Sequence, residues 1–152
     1  MAHPNRVNTQ GGLYVEKDGR DTPDTFRMTV DYPSQWSLCL VSTLTNDTNL
    51  PDRIFGKYGT LEIGGDLGLK VNGPYSEEFQ AKNGGQDELH LPSGKRRHLE
   101  GNFVDALRGK GPVHCNVDLC CATMVAIKVA VESYRQRKSF LWEPAPGKMV
   151  TA

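Results

Sequence analysis

The hydrophobic residues of this chain change their spacing once, and that change constrains the fold more than any other feature. Up to about Leu91, apolar residues recur at every second position, which is the period of a half-buried β-strand. From Leu99 onward they follow the three-to-four-residue spacing of an amphipathic helix. A run of strands followed by helices predicts an α+β fold with an open, mostly antiparallel β-sheet and helices packed on one face.

Alternation is clearest in two consecutive segments, 26–32 and 36–44, which are separated by a Pro-Ser-Gln turn at 33–35. Together they predict an antiparallel hairpin. Shorter strands are predicted at 12–15, 53–56, 60–63, 67–71, 89–91 and 140–142. An Asp-Gly step at 18–19 and Gly64-Gly65 predict turns, and residues 143–152 are interpreted as a Pro/Gly tail.

Two helices are predicted in the last third of the chain. Leu99, Phe103 and Leu107 form the apolar stripe of the first helix, which the Gly- and Pro-containing segment 109–112 ends. Asn116 is the predicted N-cap of a second helix of about twenty residues. Its last turn is basic, as the helix dipole favours.

Length and charge restrict the class of protein. A chain of 152 residues is expected to form a single domain over 1–152. Its 18 Lys+Arg and 18 Asp+Glu cancel, which argues against a nucleic-acid or anionic-membrane partner. The sequence contains neither an uninterrupted apolar run of membrane-spanning length nor an N-terminal secretory signal. Four cysteines without a disulfide framework favour reduced thiols and a cytoplasmic location.

A search for chemical motifs assigns no catalytic, cofactor-binding or metal-binding residue. The segment GGDLG at 64–68 lacks the glycine spacing of a dinucleotide loop, and SGKRR at 93–97 has the wrong order for a phosphate loop and is interpreted as a helix entry. The spacing of Cys115, Cys120 and Cys121 differs from that of zinc hooks. The four histidines are scattered and accompany no nucleophile signature.

Two surfaces remain as candidates. A charged loop beside a strand end could bind the substrate, and its alternative interpretation is a hairpin loop stabilised by local Asx turns. Its candidate substrate-binding residues are Lys17, Asp18, Arg20, Asp21 and Asp24. The sheet face that the helices leave open is predicted to form a homo-oligomer interface, because its side chains are small and weakly polar. These residues are Thr29, Ser37, Cys39, Val41 and Thr43.

Several ordered segments resemble the C-terminal portion of the Gfo/Idh/MocA oxidoreductases. They are GGLYV at 11–15, PDTF at 23–26, RIFGKYGTLEI at 53–63, HLEGNFVDALRG at 98–109, CNVDL at 115–119 and RKSFLWEP at 137–144. The resemblance covers about residues 6 to 144. It implies a C-terminal α+β domain with a large open sheet, whose partner is an N-terminal Rossmann domain that holds NAD or NADP.

The same resemblance implies that the family's catalytic Lys and His lie in a Glu-Lys-Pro and an Asp-x-Gly-x-His motif, upstream of the position of Arg6. Neither motif occurs in the printed sequence, so no catalytic residue is carried over. The expected function is therefore the substrate-side wall and oligomer interface of an NAD(P)-dependent oxidoreductase acting on a sugar, inositol or related polyol, inactive alone. The alternative is a stand-alone, non-catalytic binding or assembly module that uses the same open sheet.

Overall fold

The structure, a computed structural model, describes residues 3–63, 68–92 and 98–152. Its elements alternate little between helix and strand, and every strand pair is antiparallel, so the fold is α+β with open sheets, as predicted. The elements are β1 (Arg6–Gly12), β2 (Thr25–Tyr32), β3 (Trp36–Thr43), β4 (Asp52–Phe55), β5 (Gly59–Ile63), β6 (Gly68–Val71), α1 (Ser76–Lys82), β7 (Glu88–His90), α2 (Leu99–Leu107), α3 (Val117–Gln136), β8 (Phe140–Glu143) and β9 (Lys148–Thr151).

The chain divides into two compact units, and each contains a sheet of its own. One unit lies within the bounds Met1–Asp47 and Leu99–Ala152, and the other within Thr48–His98. The strands therefore form two sheets where one was expected. The prediction of a single domain over 1–152 concerns whether the two units fold together, and it stays a prediction.

The first unit has five strands in the order β3-β2-β1-β8-β9 within the described residues. Val7 of β1 pairs with Val30 of β2 on one side and with Phe140 of β8 on the other. Because side chains alternate along a strand, these three side chains share one face of the sheet. Long-range pairing of the first and last thirds of the chain thus closes this unit.

Helix α3 packs on that face and completes the core. Val129 and Ala130 of the helix join Val7, Val30 and Phe140, all of them buried. The Asn116 side chain caps the helix by accepting the N–H of Leu119 at 2.9 Å, as predicted. Burial of one apolar stripe, rather than helix propensity, stabilises such a helix.

Helix α2 differs from its prediction in its surroundings. Its bounds agree with the periodicity, yet Leu99, Phe103 and Leu107 of its apolar stripe are exposed. The buried residue of α2 is Asn102, whose side chain binds the carbonyl of Pro112 at 3.0 Å and the N–H of His114 at 2.7 Å. Helix α3 alone therefore covers the core face that both helices were expected to cover.

In its described residues the second unit has a four-stranded sheet in the order β4-β5-β6-β7, with α1 between β6 and β7 in the chain. The register sets Ile54 opposite Leu61 and Leu61 opposite Leu69, so these residues share one face. The other face carries the charged side chains of Arg53, Glu62 and Lys70 together with the exposed ring of Phe55. Phe79 of α1 is buried and lies 5.7 Å, centroid to centroid, from the ring of Tyr58.

Three further elements differ from the sequence prediction. β1 begins at Arg6 instead of Gly12, and a loop at 13–24 replaces the expected tight turn at the Asp-Gly step. α1 was not predicted, and the supposed tail contains β9. The predicted turn at Gly64 and Gly65, the position of Leu67 in its strand and the segment 93–97 lie outside the described residues.

None of the described helices has both the length and the hydropathy that crossing a bilayer would require.

Candidate functional site

One buried carboxylate holds the loop 13–24 that joins β1 to β2. Asp24 is 1% exposed, and its Oδ2 atom accepts the backbone N–H groups of Tyr14, Val15 and Glu16 at 2.9, 2.8 and 3.0 Å. The hydrogen bond from Val15 is the main reason that the pKa of Asp24 lies below its usual range, although burial opposes the shift. Asp24 therefore fixes the path of this loop.

The tip of the loop carries an exposed ion pair. The Arg20 Nε atom lies 2.8 Å from Asp18 Oδ1, and the Arg20 backbone N–H donates to the same oxygen at 3.2 Å. These hydrogen bonds to Arg20 lower the pKa of Asp18 to about 2. The backbone bond is of the local Asx type that the alternative interpretation of this loop expects. Lys17 is exposed beside the pair.

The base of the loop borders an apolar groove between the sheet and α3. The groove has a volume of about 370 Å³, which is within the range of small-molecule sites. Its apolar walls include Phe26 and Leu40 from the sheet and Ile127 and Val131 from α3. It exists because α3 packs on β1 and leaves Phe26 of β2 and the apolar side chains of β3 incompletely covered.

Polar groups lie at the end of the groove nearest the loop. Arg135 Nη2 lies 3.8 Å from Asp21 Oδ2, and both residues line the groove. Thr9 also lines it and is 8% exposed. The Oγ1 atom of Thr9 is buried without a hydrogen-bond partner among the described residues. A buried hydroxyl without a hydrogen-bond partner favours the binding of a ligand or a water molecule that offers it a polar atom.

A second cavity, of about 570 Å³, shares Thr9, Tyr134 and Arg135 with the groove and is lined along β1 and the start of the loop by residues 8–13. β8 pairs with β1 only at Arg6 and Val7, so the part of the strand from Asn8 onward has no neighbouring strand on that side among the described residues. Arg137, the C-cap residue that follows α3, also lines this cavity.

The loop and the two cavities together form a candidate binding site at the C-terminal end of α3. The guanidinium groups of Arg135 and Arg137 donate several hydrogen bonds, and the Asp21 carboxylate accepts hydrogen bonds. Such groups beside an apolar wall suit a ligand with several hydroxyl or carboxylate oxygens. Of the predicted substrate residues, Asp21 lines the groove, Asp24 holds the loop, and Lys17, Asp18 and Arg20 lie at its tip.

The predicted interface residues lie together on the sheet face opposite α3. The register sets Thr29 opposite Cys39, Asp31 opposite Ser37 and Arg27 opposite Val41. Thr43 faces Thr25 in the same row, and the two hydroxyl oxygens are 3.0 Å apart.

This face is more polar at its centre than the sequence analysis assumed. Arg6 forms an ion pair with Asp31 at 2.7 Å, and Arg27 donates to the Gln10 side chain at 2.6 Å. These charged and amide side chains belong to β1 and β2, where they bind one another. The weakly polar part of the face is therefore the outer strand β3. Val41, 52% exposed, is its most apolar exposed position.

The second unit carries a separate polar groove of about 540 Å³, lined by residues of both charges that include Arg53, Glu62 and Lys70. Arg53 and Glu62 pair across the strands at 3.2 Å. Within the described parts of the chain, the His, Cys, Asp and Glu side chains form no group of three or more that could hold a metal ion.

Comparison with known proteins gives a match at the level of structure only. No family model matches the sequence, and no curated protein matches it. An NAD-binding protein from Listeria innocua has a TM-score of 0.64 and 14% identity over 92% of this chain and 46% of its own. A Thermotoga maritima protein with the provisional name oxidoreductase has a TM-score of 0.68 and 14% identity over 92% of this chain and 41% of its own.

A Yersinia pestis protein with the same provisional name has a TM-score of 0.59 and 18% identity, over 93% of this chain and 45% of its own. At these identities the likeness shows a shared fold. This chain spans less than half the length of each of the three solved structures.

Proposed function

We propose that this chain is the C-terminal, substrate-side domain of an NAD(P)-dependent oxidoreductase of the Gfo/Idh/MocA type. The observation that carries the proposal is the asymmetry of the structural match, which covers 92% of this chain and 41–46% of the first two neighbours. One neighbour is named as NAD-binding and the other as an oxidoreductase. The motif resemblance, from residues 6 to 144, supports the same assignment independently.

The described residues do not fit a dinucleotide, and the proposal therefore assigns NAD or NADP to a separate Rossmann domain. A dinucleotide turn needs three glycines between a strand and a helix. The turn that leads from β6 into α1 carries Gly73 alone, and α1 has 7 residues. No reaction step is assigned to residues of this chain for that reason.

The proposed role of this chain is to bind and orient the substrate. Asp24 holds the loop 13–24 in place, while Lys17, Asp18, Arg20 and Asp21 contribute charged groups near the substrate. A sugar, an inositol or a related polyol would match the donors and acceptors of this region, because each ring hydroxyl can both donate and accept a hydrogen bond. The open face with Val41 is the proposed homo-oligomer interface.

The first experiment measures dinucleotide binding by the chain itself. Titration of NADH against the purified chain, followed by NADH fluorescence, should show no saturable binding. The same titration of the product of the whole gene, with its proposed Rossmann domain, should saturate in the micromolar range. Saturable micromolar binding of NADH by the chain alone would contradict the assignment of NAD or NADP to a separate Rossmann domain.

The second experiment tests the loop in the two-domain protein. Arg20→Ala and Asp21→Ala should raise KM or lower kcat for the polyol that is turned over, since both residues belong to the proposed substrate side. Lys128→Ala and Glu132→Ala are matched controls. They remove an ion pair of 2.7 Å on α3 whose two residues line neither the groove nor the second cavity. Unchanged kinetics in the loop variants would make the charged tip an ordinary surface turn.

A further inference from the structure

The N-terminal cap of α3 brings two cysteine side chains into contact. Cys115 precedes the N-cap residue Asn116, and Cys120 is the fourth residue of the helix. The two Sγ atoms are 3.1 Å apart. Both side chains are exposed. This pair uses no residue of the proposed substrate site or oligomer interface.

The contact follows from the geometry of the cap. The residue before an N-cap and the fourth residue of the helix are the two positions that pack together in a hydrophobic staple. Asn116 has extended backbone angles, φ −76° and ψ 169°, and its carbonyl accepts the N–H of Cys120 at 3.0 Å. These features turn Cys115 back over the first turn of the helix. The thiols thus occupy positions that the backbone itself brings together.

Little movement separates the thiol pair from a covalent bond. A disulfide bond is about 2.05 Å long, so the two Sγ atoms must approach by about 1 Å. The adjacent Cys121 is the competing partner, because it follows Cys120 directly in the helix. Successive residues of a helix point about 100° apart around its axis, so Cys121 projects away from the direction of Cys120.

We propose that Cys115 and Cys120 form a reversible intramolecular disulfide by exchange with a small-molecule disulfide such as oxidised glutathione. The Cys115 thiolate attacks one glutathione sulfur and releases one molecule of reduced glutathione, which leaves a mixed disulfide on Cys115. Cys120 then loses its proton to solvent and attacks the Cys115 Sγ atom, which releases the second glutathione. Two cysteine thiols are oxidised, and one glutathione disulfide is reduced to two thiols.

The contact between the two thiols supports this order of attack. Contact with the Cys115 thiol raises the pKa of Cys120 above its ordinary value. A thiol with a raised pKa is a smaller source of thiolate, so Cys120 suits the second step, in which its target is already held beside it. The bond would join the loop after α2 to the first turn of α3, and Asn102 already holds this loop at Pro112 and His114.

The test uses the full chain in buffers of fixed oxidised-to-reduced glutathione ratio, with free thiols then blocked by alkylation. Trypsin leaves the three clustered cysteines in one peptide, 111–128, and cleavage before Asp118 separates Cys115 from the other two. The two pieces should stay joined until a reductant is added, with a loss of two hydrogens from the intact mass. Cys39, which is remote in sequence and exposed, should carry at most a mixed glutathione disulfide.

Single substitutions then identify the partner. Cys121→Ser should form the bond to the same extent as the unmodified chain, and Cys120→Ser should reduce its yield at least tenfold. Mixed glutathione disulfides on Cys115 and Cys120 without an internal bond would overturn the proposal. So would equal loss of the bond in the Cys120→Ser and Cys121→Ser chains. Because the mapping works on the unmodified chain, the first result does not depend on the folding of any variant.

Discussion

The Ser133 hydroxyl oxygen accepts a hydrogen bond from the backbone N–H of Thr9 at 2.8 Å, although the two residues are 124 positions apart in the chain. The same hydroxyl donates to the Lys138 carbonyl oxygen at 2.7 Å. Ser133 is 0% exposed. It therefore satisfies a strand N–H that β8 leaves without a neighbour and ties the strand to the end of α3.

We expect Ser133→Ala to lower the free energy of unfolding of the first unit by about 1–3 kcal/mol, since it leaves the buried N–H of Thr9 and the partly buried carbonyl of Lys138 unpaired. The higher helix propensity of alanine offsets a few tenths of a kcal/mol of this loss. Chemical denaturation measures the change. Thr123→Ala is the matched control, because it removes an exposed hydroxyl that binds the Leu119 carbonyl on the same helix. Its effect should stay within about 0.5 kcal/mol, and an equal effect in both variants would contradict the assigned role of Ser133.

Asp24→Asn should loosen the loop 13–24 while the sheet stays folded. The substitution removes the charge that the N–H groups of Tyr14, Val15 and Glu16 share. Amide hydrogen exchange followed by NMR should show these three protons exchanging faster, with β2 and β3 unchanged. Asp21→Asn, in the same loop but exposed, should leave the three rates as they are.

The Asp24 interaction also has a defined dependence on pH. Its pKa is lowered in the folded chain from an ordinary value of 3.8. The stability it contributes is therefore fully present above pH 3.8 and is lost as the pH falls through the folded pKa. The difference in stability between the unmodified chain and Asp24→Asn should shrink with acidification below pH 3.8. A difference that grows on acidification would contradict this assignment.

Glu78 of the second unit should titrate near pH 2. Its carboxylate accepts from Lys57 Nζ at 2.7 Å, from Lys82 Nζ at 2.8 Å and from the Tyr58 hydroxyl at 2.9 Å. These bonds, that of Lys57 first, lower its pKa from 4.5 to about 2. The stabilisation is present above pH 4.5 and disappears as the pH approaches 2. The carboxyl carbon shift in an NMR titration gives the midpoint directly.

A pair of lysine variants tests the cause of this shift. Lys57→Met should raise the midpoint of Glu78 toward its ordinary value, because the largest contribution is removed. Lys128→Met should leave Glu78 unchanged and instead raise the pKa of Glu132, which the Lys128 ammonium lowers. If both variants move the two midpoints alike, the shifts come from net charge and not from the named hydrogen bonds.

The sequence predicted those elements whose burial follows a simple period. β2 alternates because one face packs inward, and α3 has both a side-chain cap and a buried stripe. β1 escaped prediction because Val7 and Thr9 are its only buried side chains, so its sequence RVNTQGG shows little alternation. α1 buries Phe79 alone, which is too few apolar positions to define a helical stripe.

The candidate site was harder to predict because it depends on pairing across the chain. Asp24 reaches back 8 to 10 residues, beyond the range of a local Asx turn. The groove exists because α3 packs on β1 but not on β3, and periodicity does not specify over which strands a helix lies. Arg135 was interpreted as a helix-dipole residue, yet it lies 3.8 Å from Asp21.

The last prediction concerns assembly through the open face. Its outer strand presents Ser37, Cys39, Val41 and Thr43, small side chains that let two sheets approach to about 10 Å. We expect a two-fold dimer, which needs roughly 1,200 Å² of buried surface to be specific. Val41→Lys should give monomers, because the proposed two-fold axis would bring two like charges together at a position that already faces Arg27.

Size-exclusion chromatography with light scattering at tens of micromolar protein measures the outcome for both the unmodified and substituted chains. Thr123→Lys adds the same charge at an exposed position of α3, on the other side of the sheet, and should remain dimeric. If the unmodified chain is monomeric, the prediction of a homo-oligomer interface is wrong. A Val41→Lys chain that stays dimeric would show that the proposed interface is wrong. The outer edge of β3, which pairs with no other strand among the described residues, would then be the next surface to substitute, since an exposed edge strand can pair with a second copy.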